Sequence, residues 1–314
     1  MYRIGVDLGG TNVAIGIVDD SLQLIKKGST PTPAQNAEAI ADAIASLTKQ
    51  LMEEMGISFS EIASLGVASP GIVNRKTGEI VYANNIEFSH FPMASKLKER
   101  LPIDEIYMEN DANAAALGEA KAGAARGAEN VVMITLGTGV GGGIIIGGDV
   151  YMGSNCVAGE LGHIVIEKDG YPCTCGRCGC WEAYSSATAL IRMTREKMEK
   201  APDSLMHEMA KKEGKVSGRT AFDAARAGDT AGAEVVDTYL SYLACGITNL
   251  INIFQPEIIV IGGGVSNERE NLLRPLTPKV LSEAYGSKHI KIADLRIAAL
   301  GNDAGIIGAA CLGL

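Results

Sequence analysis

Four of the seven cysteines fall in eight consecutive positions, within the run CTCGRCGCWE at 173–182. Thiols so spaced serve as disulfide partners or as ligands to a soft metal ion. Two glycine-threonine turns, DLGGTN at 7–12 and TLGTGVGGG at 135–143, suit another chemistry. Without Cβ atoms the backbone N–H groups of such turns can approach an anion closely, and a pair of them can grip a polyphosphate from two sides. Asp7 ends the apolar run before the first turn and would repel phosphate unless a cation lay between, so it is a candidate Mg²⁺ partner through water. A third turn, IGGGVS at 261–266, ends another apolar run and offers bare backbone to a flat ring. In MENDANAAALGEA, Asn110 and Asp111 stand at the start of an alanine-rich segment, as helix N-cap residues or as the source of a catalytic carboxylate.

Composition separates the two roles of the thiols. A chain of 314 residues, 46% hydrophobic and 21% charged, can bury ordinary cores without covalent staples. The opening MYRIGVDLGG lacks the basic, apolar and small-residue regions of a secretory signal, which predicts a cytoplasmic protein. In a reducing compartment a cysteine cluster points to metal, and seven thiols cannot all pair. A net charge of −9 with no Lys/Arg run argues against nucleic-acid and membrane partners and favours small molecules. The uncharged stretch VVMITLGTGVGGGIIIGG at 131–148 is long enough for a membrane span, but its seven glycines and β-branched runs describe strand, turn and strand.

The elements that must position these residues follow from periodicity. Strand patterns occur at YRIGVDLG, NVAIGIVDD and LQLIKKGSTP, followed by an amphipathic helix over NAEAIADAIASLTKQLMEEMG and a buried strand IASLGVASPG. The strand–turn–strand pattern returns at 131–150, which predicts a duplicated two-domain α/β protein. SSATALIRMTREKMEK through VVDTYLSYLACGITNLINIF reads as helical, and PEIIVIGGGVS as a further apolar strand. The expected division is 1–117, a small α/β domain with 300–314 packing back on it, and 118–299, a large α/β domain with the cysteine run and the helical region.

With its three glycine turns in order, the chain resembles the actin-like ATPase and sugar-kinase superfamily. Within it, the chain is similar to the ROK family of sugar kinases and repressors. The family pattern C-x-C-G-x-x-G-C-x-E is met at Cys173, Cys175, Gly176, Gly179, Cys180 and Glu182, and E-x-G-H at Glu160, Gly162 and His163. The resemblance runs from residue 5 to about 310 and implies two ribonuclease H-like domains with a nucleotide and sugar cleft between them.

It further implies a structural Zn²⁺ held by His163, Cys173, Cys175 and Cys180, a closed soft set with no position left for an activated water. Cys178 is expected to be a bystander. Glu160, His163 and Glu182 would line a hexose pocket, with Asn110 as a sugar ligand and Asp111 as the base. Ser69, Gly71 and Asn84 would complete that pocket, although IEFSHFP after the paired asparagines replaces the Pro and Trp of many relatives. Asp7, Gly9, Gly10, Thr11, Asn12, Thr138 and Gly139 would hold the phosphates of Mg-ATP, and Gly262, Gly263 and Gly264 its adenine. Asn12 stands where other members carry Lys. The implied activity is ATP-dependent phosphorylation of a hexose, with the glucokinase branch indicated by CGCWEAYSSATAL, in a homodimer or homotetramer that closes about a hinge near GEAKAGAARGA. Kinases of fructose, N-acetylmannosamine, N-acetylglucosamine or allose, and a non-catalytic regulator, are the alternatives. Only six residues precede the first glycine-loop motif, so no DNA-binding helices are expected there.

Overall fold

The computed structural model describes residues 1–33, 36–83 and 88–314. The chain divides into two compact units, Met1–Glu129 with Gly143–Gly159 and Ala299–Leu314, and Asn130–Gly142 with Glu160–Ala298.

The first unit is built on a sheet in the order β3-β2-β1-β4-β8, with β1 (Tyr2–Leu8), β2 (Asn12–Val18), β3 (Leu24–Pro31), β4 (Ile62–Ser69) and β8 (Ile106–Asn110). β1, β2 and β3 are antiparallel neighbours, while β1, β4 and β8 run parallel. β4 is buried almost throughout, as a parallel strand covered on both faces must be; β3 alternates half-buried and exposed residues at the edge. A small antiparallel sheet of β5 (Ile72–Asn74), β6 (Glu79–Tyr82) and β7 (Ser89–Phe91) follows β4. Helix α1 (Ala37–Met55) is capped by Asn36, whose side chain accepts the Ala39 N–H at 3.0 Å, and ends at Gly56 with φ 67°. It buries Ile40, Ile44, Leu47 and Leu51, one stripe of a 3.6-residue repeat. The short α2 (Met93–Lys98) precedes β8, and α3 (Asp111–Lys121) follows it directly.

The register sets Gly16, Gly5 and Gly66 side by side across β2, β1 and β4. The backbone of α10 (Ala304–Ala310) lies on this row: a Cβ at Gly5 would stand 1.9 Å from the Ile306 carbonyl oxygen, and one at Gly66 1.8 Å from that of Ala309. On its other flank α10 meets α3 as closely, since a Cβ at Gly308 would lie 1.7 Å from the Ala114 carbonyl oxygen.

The second sheet has the order β11-β10-β9-β12-β13, formed by β9 (Val131–Leu136), β10 (Val140–Ile146), β11 (Asp149–Val150), β12 (Ile258–Gly262) and β13 (Asp294–Ile297). β9, β12 and β13 are parallel. This repeats the order of the first sheet place for place, the duplicated ribonuclease H-like pattern of the actin-like ATPase fold. Helices α4 (Glu182–Ser185), α5 (Ala187–Lys200), α6 (Met206–Glu213), α7 (Thr220–Arg226), α8 (Thr230–Phe254) and α9 (Glu270–Glu283) complete the second unit. The 25-residue α8 is its spine: the buried Tyr239 donates to the Ser185 carbonyl at 2.7 Å, and the fully buried Trp181 donates to that of Tyr242 at 3.1 Å.

The glycine row makes a sharp demand on size. Gly66→Ala is expected to cost about 3 kcal/mol or more, because the opposing atom is backbone and cannot rotate away. Gly218→Ala, which meets nothing within 4 Å, is expected to stay within about 0.5 kcal/mol. Urea-unfolding midpoints of the two variants check this.

Candidate active site

In the first unit the candidate residues gather at the C-terminal ends of the parallel strands, where ligands of open α/β sheets bind. The register pairs Asp7 with Ala68 and Ser69 with Asn110, so β1, β4 and β8 end together. The Gly9–Asn12 turn is closed by a bond from the Gly9 N–H to the Asn12 carbonyl at 2.9 Å. Thr32 supports the turn twice, its N–H donating to the Thr11 carbonyl at 2.9 Å and its hydroxyl to that of Gly9 at 2.7 Å. Asn110 is the N-cap of α3: its Oδ1 accepts the N–H groups of Ala112 and Asn113 at 2.9 and 3.2 Å, while its Nδ2 donates to the Gly71 carbonyl at 3.1 Å. Capping and a place in the site are therefore compatible. Gly71 has φ 85°, and the fully buried Ser69 hydroxyl donates to the Pro70 carbonyl at 3.2 Å. Asp111 is the exposed first residue of α3, and its Oδ1 accepts the Ala112 N–H at 2.8 Å.

The Asp7 carboxyl is pushed up to about 6, first by burial and then by repulsion from Asp111, with Lys27 partly offsetting both. Asp7 and Asp111 thus share one small region, and such a pair of carboxylates suits a cation.

In the second unit the Gly262–Gly264 segment and the 137–139 turn meet at one edge, since Gly262 pairs with Thr135 and a Cβ at Gly263 would lie 2.5 Å from the Leu136 nitrogen. Glu160 is exposed and precedes a 3₁₀ turn, Leu161–His163. Glu182 opens α4; its Oε2 accepts the Val140 N–H at 2.9 Å and its Oε1 lies 3.6 Å from Cys173 Sγ. His163 Nδ1, Cys173 Sγ, Cys175 Sγ and Cys180 Sγ lie within 4.8 Å of one another, with Cys173···His163 and Cys175···Cys180 both at 3.6 Å. This set can hold a metal ion, and the exposed Cys178 stands outside it. Gly179 makes the tight return, with φ 78° and no room for a Cβ, which would fall 1.6 Å from the Glu167 carbonyl oxygen. Burial pushes the Cys180 thiol up to about 12, whereas the Arg177 backbone N–H lowers that of Cys175. A bound cation would draw the protons from both.

Asn84 lies outside the described residues, as does Asn85. Two residues that sequence reasoning passed over matter here. Buried Glu109 accepts the Asn110 N–H at 2.8 Å and Asn113 Nδ2 at 3.2 Å, and faces Arg75 Nε at 3.8 Å; burial raises its pKa, and the two donated bonds work against that. Glu119, fully buried, accepts the N–H groups of Ala299 and Leu300 at 3.1 and 2.8 Å and that of Ala124 at 2.7 Å. The available signal was an acid within an otherwise apolar strand and another on an alanine-rich helix, each needing partners once buried.

Comparison with known proteins shows the family. The ROK family model matches residues 3–314. The chain is 41% identical to a glucokinase of Halalkalibacterium halodurans, over 98% of this chain and 93% of the relative. It superposes on the crystal structure of a ROK family glucokinase from Streptomyces griseus in complex with glucose and AMPPNP, with a TM-score of 0.78, 35% identity and 99% of each chain covered. The structure of a ROK hexokinase from Thermus thermophilus gives a TM-score of 0.82 at 33% identity, covering 99% of this chain and 97% of the other. The chain belongs to the ROK family.

The raised Asp7 carboxyl carries a pH dependence. A folded state that binds this proton more tightly than the unfolded chain gains stability below pH 3.8 and loses that gain as pH rises through about 6. Asp7→Asn is expected to flatten the fall in metal-free stability between pH 4 and 7 (about the interval between the two pKa values), as read from urea midpoints.

Proposed function

We infer that the protein is an ATP-dependent glucokinase, transferring the γ-phosphoryl group of ATP to the 6-hydroxyl of glucose. The observation that carries this is the joint presence of two braced glycine turns, the Asn110–Asp111 pair at the head of α3, and the Glu160–His163–Glu182 group beside the cysteine cluster. Full-length similarity to proteins named glucokinase supports the sugar.

In this reading the 9–12 and 138–139 turns offer N–H groups to the phosphates, and Gly262, Gly263 and Gly264 flank the adenine. Asp7 would hold Mg²⁺ through water, and the ion would supply positive charge to offset that of the transferred group. Asp111 accepts the proton of the attacking hydroxyl. At a helix N-terminus it is a weak base, which suffices where the hydroxyl becomes acidic late and positioning supplies most of the acceleration. Asn110, Glu160, His163 and Glu182 bind the sugar, with Ser69, Gly71 and Asn84 completing its contacts. A carboxylate accepts two hydroxyls and so discriminates epimers by the one misplaced.

The His-Cys₃ set would hold Zn²⁺ in a structural role. Ligand bonds of about 2.3 Å to sulfur and 2.0–2.1 Å to nitrogen in a tetrahedron imply ligand–ligand distances of about 3.6–3.8 Å. The observed 3.6 Å separations support that fit. A ligated Cys173 has no proton to donate, which leaves Glu182 Oε1 to accept a sugar hydroxyl. The exposed Ile253, Leu281, Tyr285 and Ile290 of the second unit support a homodimer or homotetramer. Among the described residues no helix is long and apolar enough to cross a membrane.

ADP release with Mg-ATP against glucose, fructose, mannose, N-acetylmannosamine, N-acetylglucosamine and allose tests the reading. Turnover is expected to be highest with glucose; silence across the panel sinks it. Asp111→Asn is expected to lower kcat about 10²- to 10⁴-fold with the helix cap intact. The purified protein is expected to carry one zinc per chain by elemental analysis, and Cys180→Ser to lose it.

A further inference from the structure

The 137–139 turn is packed at Gly139, where a Cβ would stand 2.3 Å from Glu182 Oε2, and is open over its first two residues. A Cβ at Gly137 would meet no atom within 4 Å, and Thr138 is exposed. Its shape must therefore come from hydrogen bonds. One is internal, from the Gly137 N–H to the Gly139 carbonyl at 3.0 Å. The other three come from the segment that follows the cysteine cluster. Glu182 accepts the Val140 N–H at 2.9 Å, the Ala187 N–H donates to the Gly137 carbonyl at 2.8 Å, and the Thr188 hydroxyl donates to the Thr138 carbonyl at 2.8 Å.

These bonds orient the turn in a specific way. In a planar trans peptide the C=O and N–H point in opposite directions. Drawing the Gly137 and Thr138 carbonyls toward residues 187 and 188 turns the N–H groups of Thr138 and Gly139 to the other side. Successive N–H groups presented together form an anion-binding nest. The donors are well placed: Ala187 and Thr188 are the first two residues of α5, whose opening N–H groups have no partner within the helix, and Ser186 caps it through a bond from the Ala189 N–H at 3.1 Å. The first unit contains the same device, since the Thr32 hydroxyl holds the Gly9 carbonyl and thereby turns the Gly10 N–H away from it.

We propose that Thr188 is a positioning residue for the phosphoryl donor, its hydroxyl holding the Thr138 carbonyl so that the following N–H faces the nucleotide phosphates. It ties α5, which follows the cysteine cluster in the chain, to that turn. The proposal rests on the reading of that turn as a phosphate site.

The test compares wild type, Thr188→Val and Thr188→Ser by steady-state kinetics, varying ATP at saturating glucose and glucose at saturating ATP, with zinc content measured on each. Loss of one such hydrogen bond is expected to raise the KM for ATP about three- to tenfold in Thr188→Val. The KM for glucose and the zinc content should stay at wild-type values, and Thr188→Ser should restore the KM for ATP. A wild-type KM for ATP in Thr188→Val, an equal rise for both substrates, or no recovery with Ser overturns the proposal. Thr188→Ala gives the same comparison should the Val variant not fold. Wild type measured first separates the two readings: its failure to phosphorylate glucose would sink the parent function, whereas parity of Thr188→Val with an active wild type sinks only the role of Thr188.

Discussion

The close approach of α10 to three adjacent glycines is the constraint on which the first unit turns. Gly16, Gly5 and Gly66 form a flat strip across the sheet; the α10 backbone lies where side chains of Gly5 and Gly66 would stand, and the Ile306 and Leu24 side chains lie against Gly16. Backbone atoms cannot change rotamer to relieve a clash, so this packing tolerates little variation in height or angle. The consequence reaches the site. α10 meets α3 at Gly308 and Ala114, and α3 carries Asp111 at its head. Gly305 near the start of α10 also approaches Asp7, where a Cβ would stand 2.8 Å from the carboxylate. Buried Glu119 fixes the segment that enters α10 by accepting the N–H groups of Ala299 and Leu300. The placing of the two carboxylates thus depends on a glycine row that crosses β1 two residues before Asp7.

Glycine turns solve one problem and create another. They let backbone N–H groups approach an anion, yet they have no side chains with which to hold their own shape. In both units the remedy is a threonine hydroxyl on a turn carbonyl, from Thr32 to Gly9 and from Thr188 to Thr138. The repetition follows the duplicated strand order, in which corresponding turns join the first two strands of each sheet.

The cysteine cluster carries a related tension. The ligand atoms of His163 and the three cysteines lie within 4.8 Å of one another, and burial pushes the Cys180 thiol up to about 12. A divalent cation reverses that preference and stiffens the loop that ends in Glu182. Glu182 and α5 bond to the 137–140 segment, so a cation held by the cluster would bear on the shape of that turn.

Much of this was legible in the sequence for local reasons. The 3.6-residue stripe of α1, the apolar runs of β1, β4, β9 and β12, and the Gly-Thr turns are set by side-chain chemistry over a few neighbours. The cysteine run stood out by its short spacing, and the resemblance selected Cys173, Cys175 and Cys180 within it and added His163. Other features depended on distant contacts. The helix α9 contains Pro275 and Pro278, which argue against a helix in any local reading, and the small β5–β7 sheet carries weak signals. Glu109 and Glu119 look like surface acids until burial forces them to find backbone and side-chain donors. Sequence alone determined which residue types are present to bind phosphate, sugar and metal, because those chemistries reside in side chains and in glycine. Tertiary structure alone decided their orientation, because the direction of an N–H in a turn depends on hydrogen bonds from residues 23 to 50 positions away.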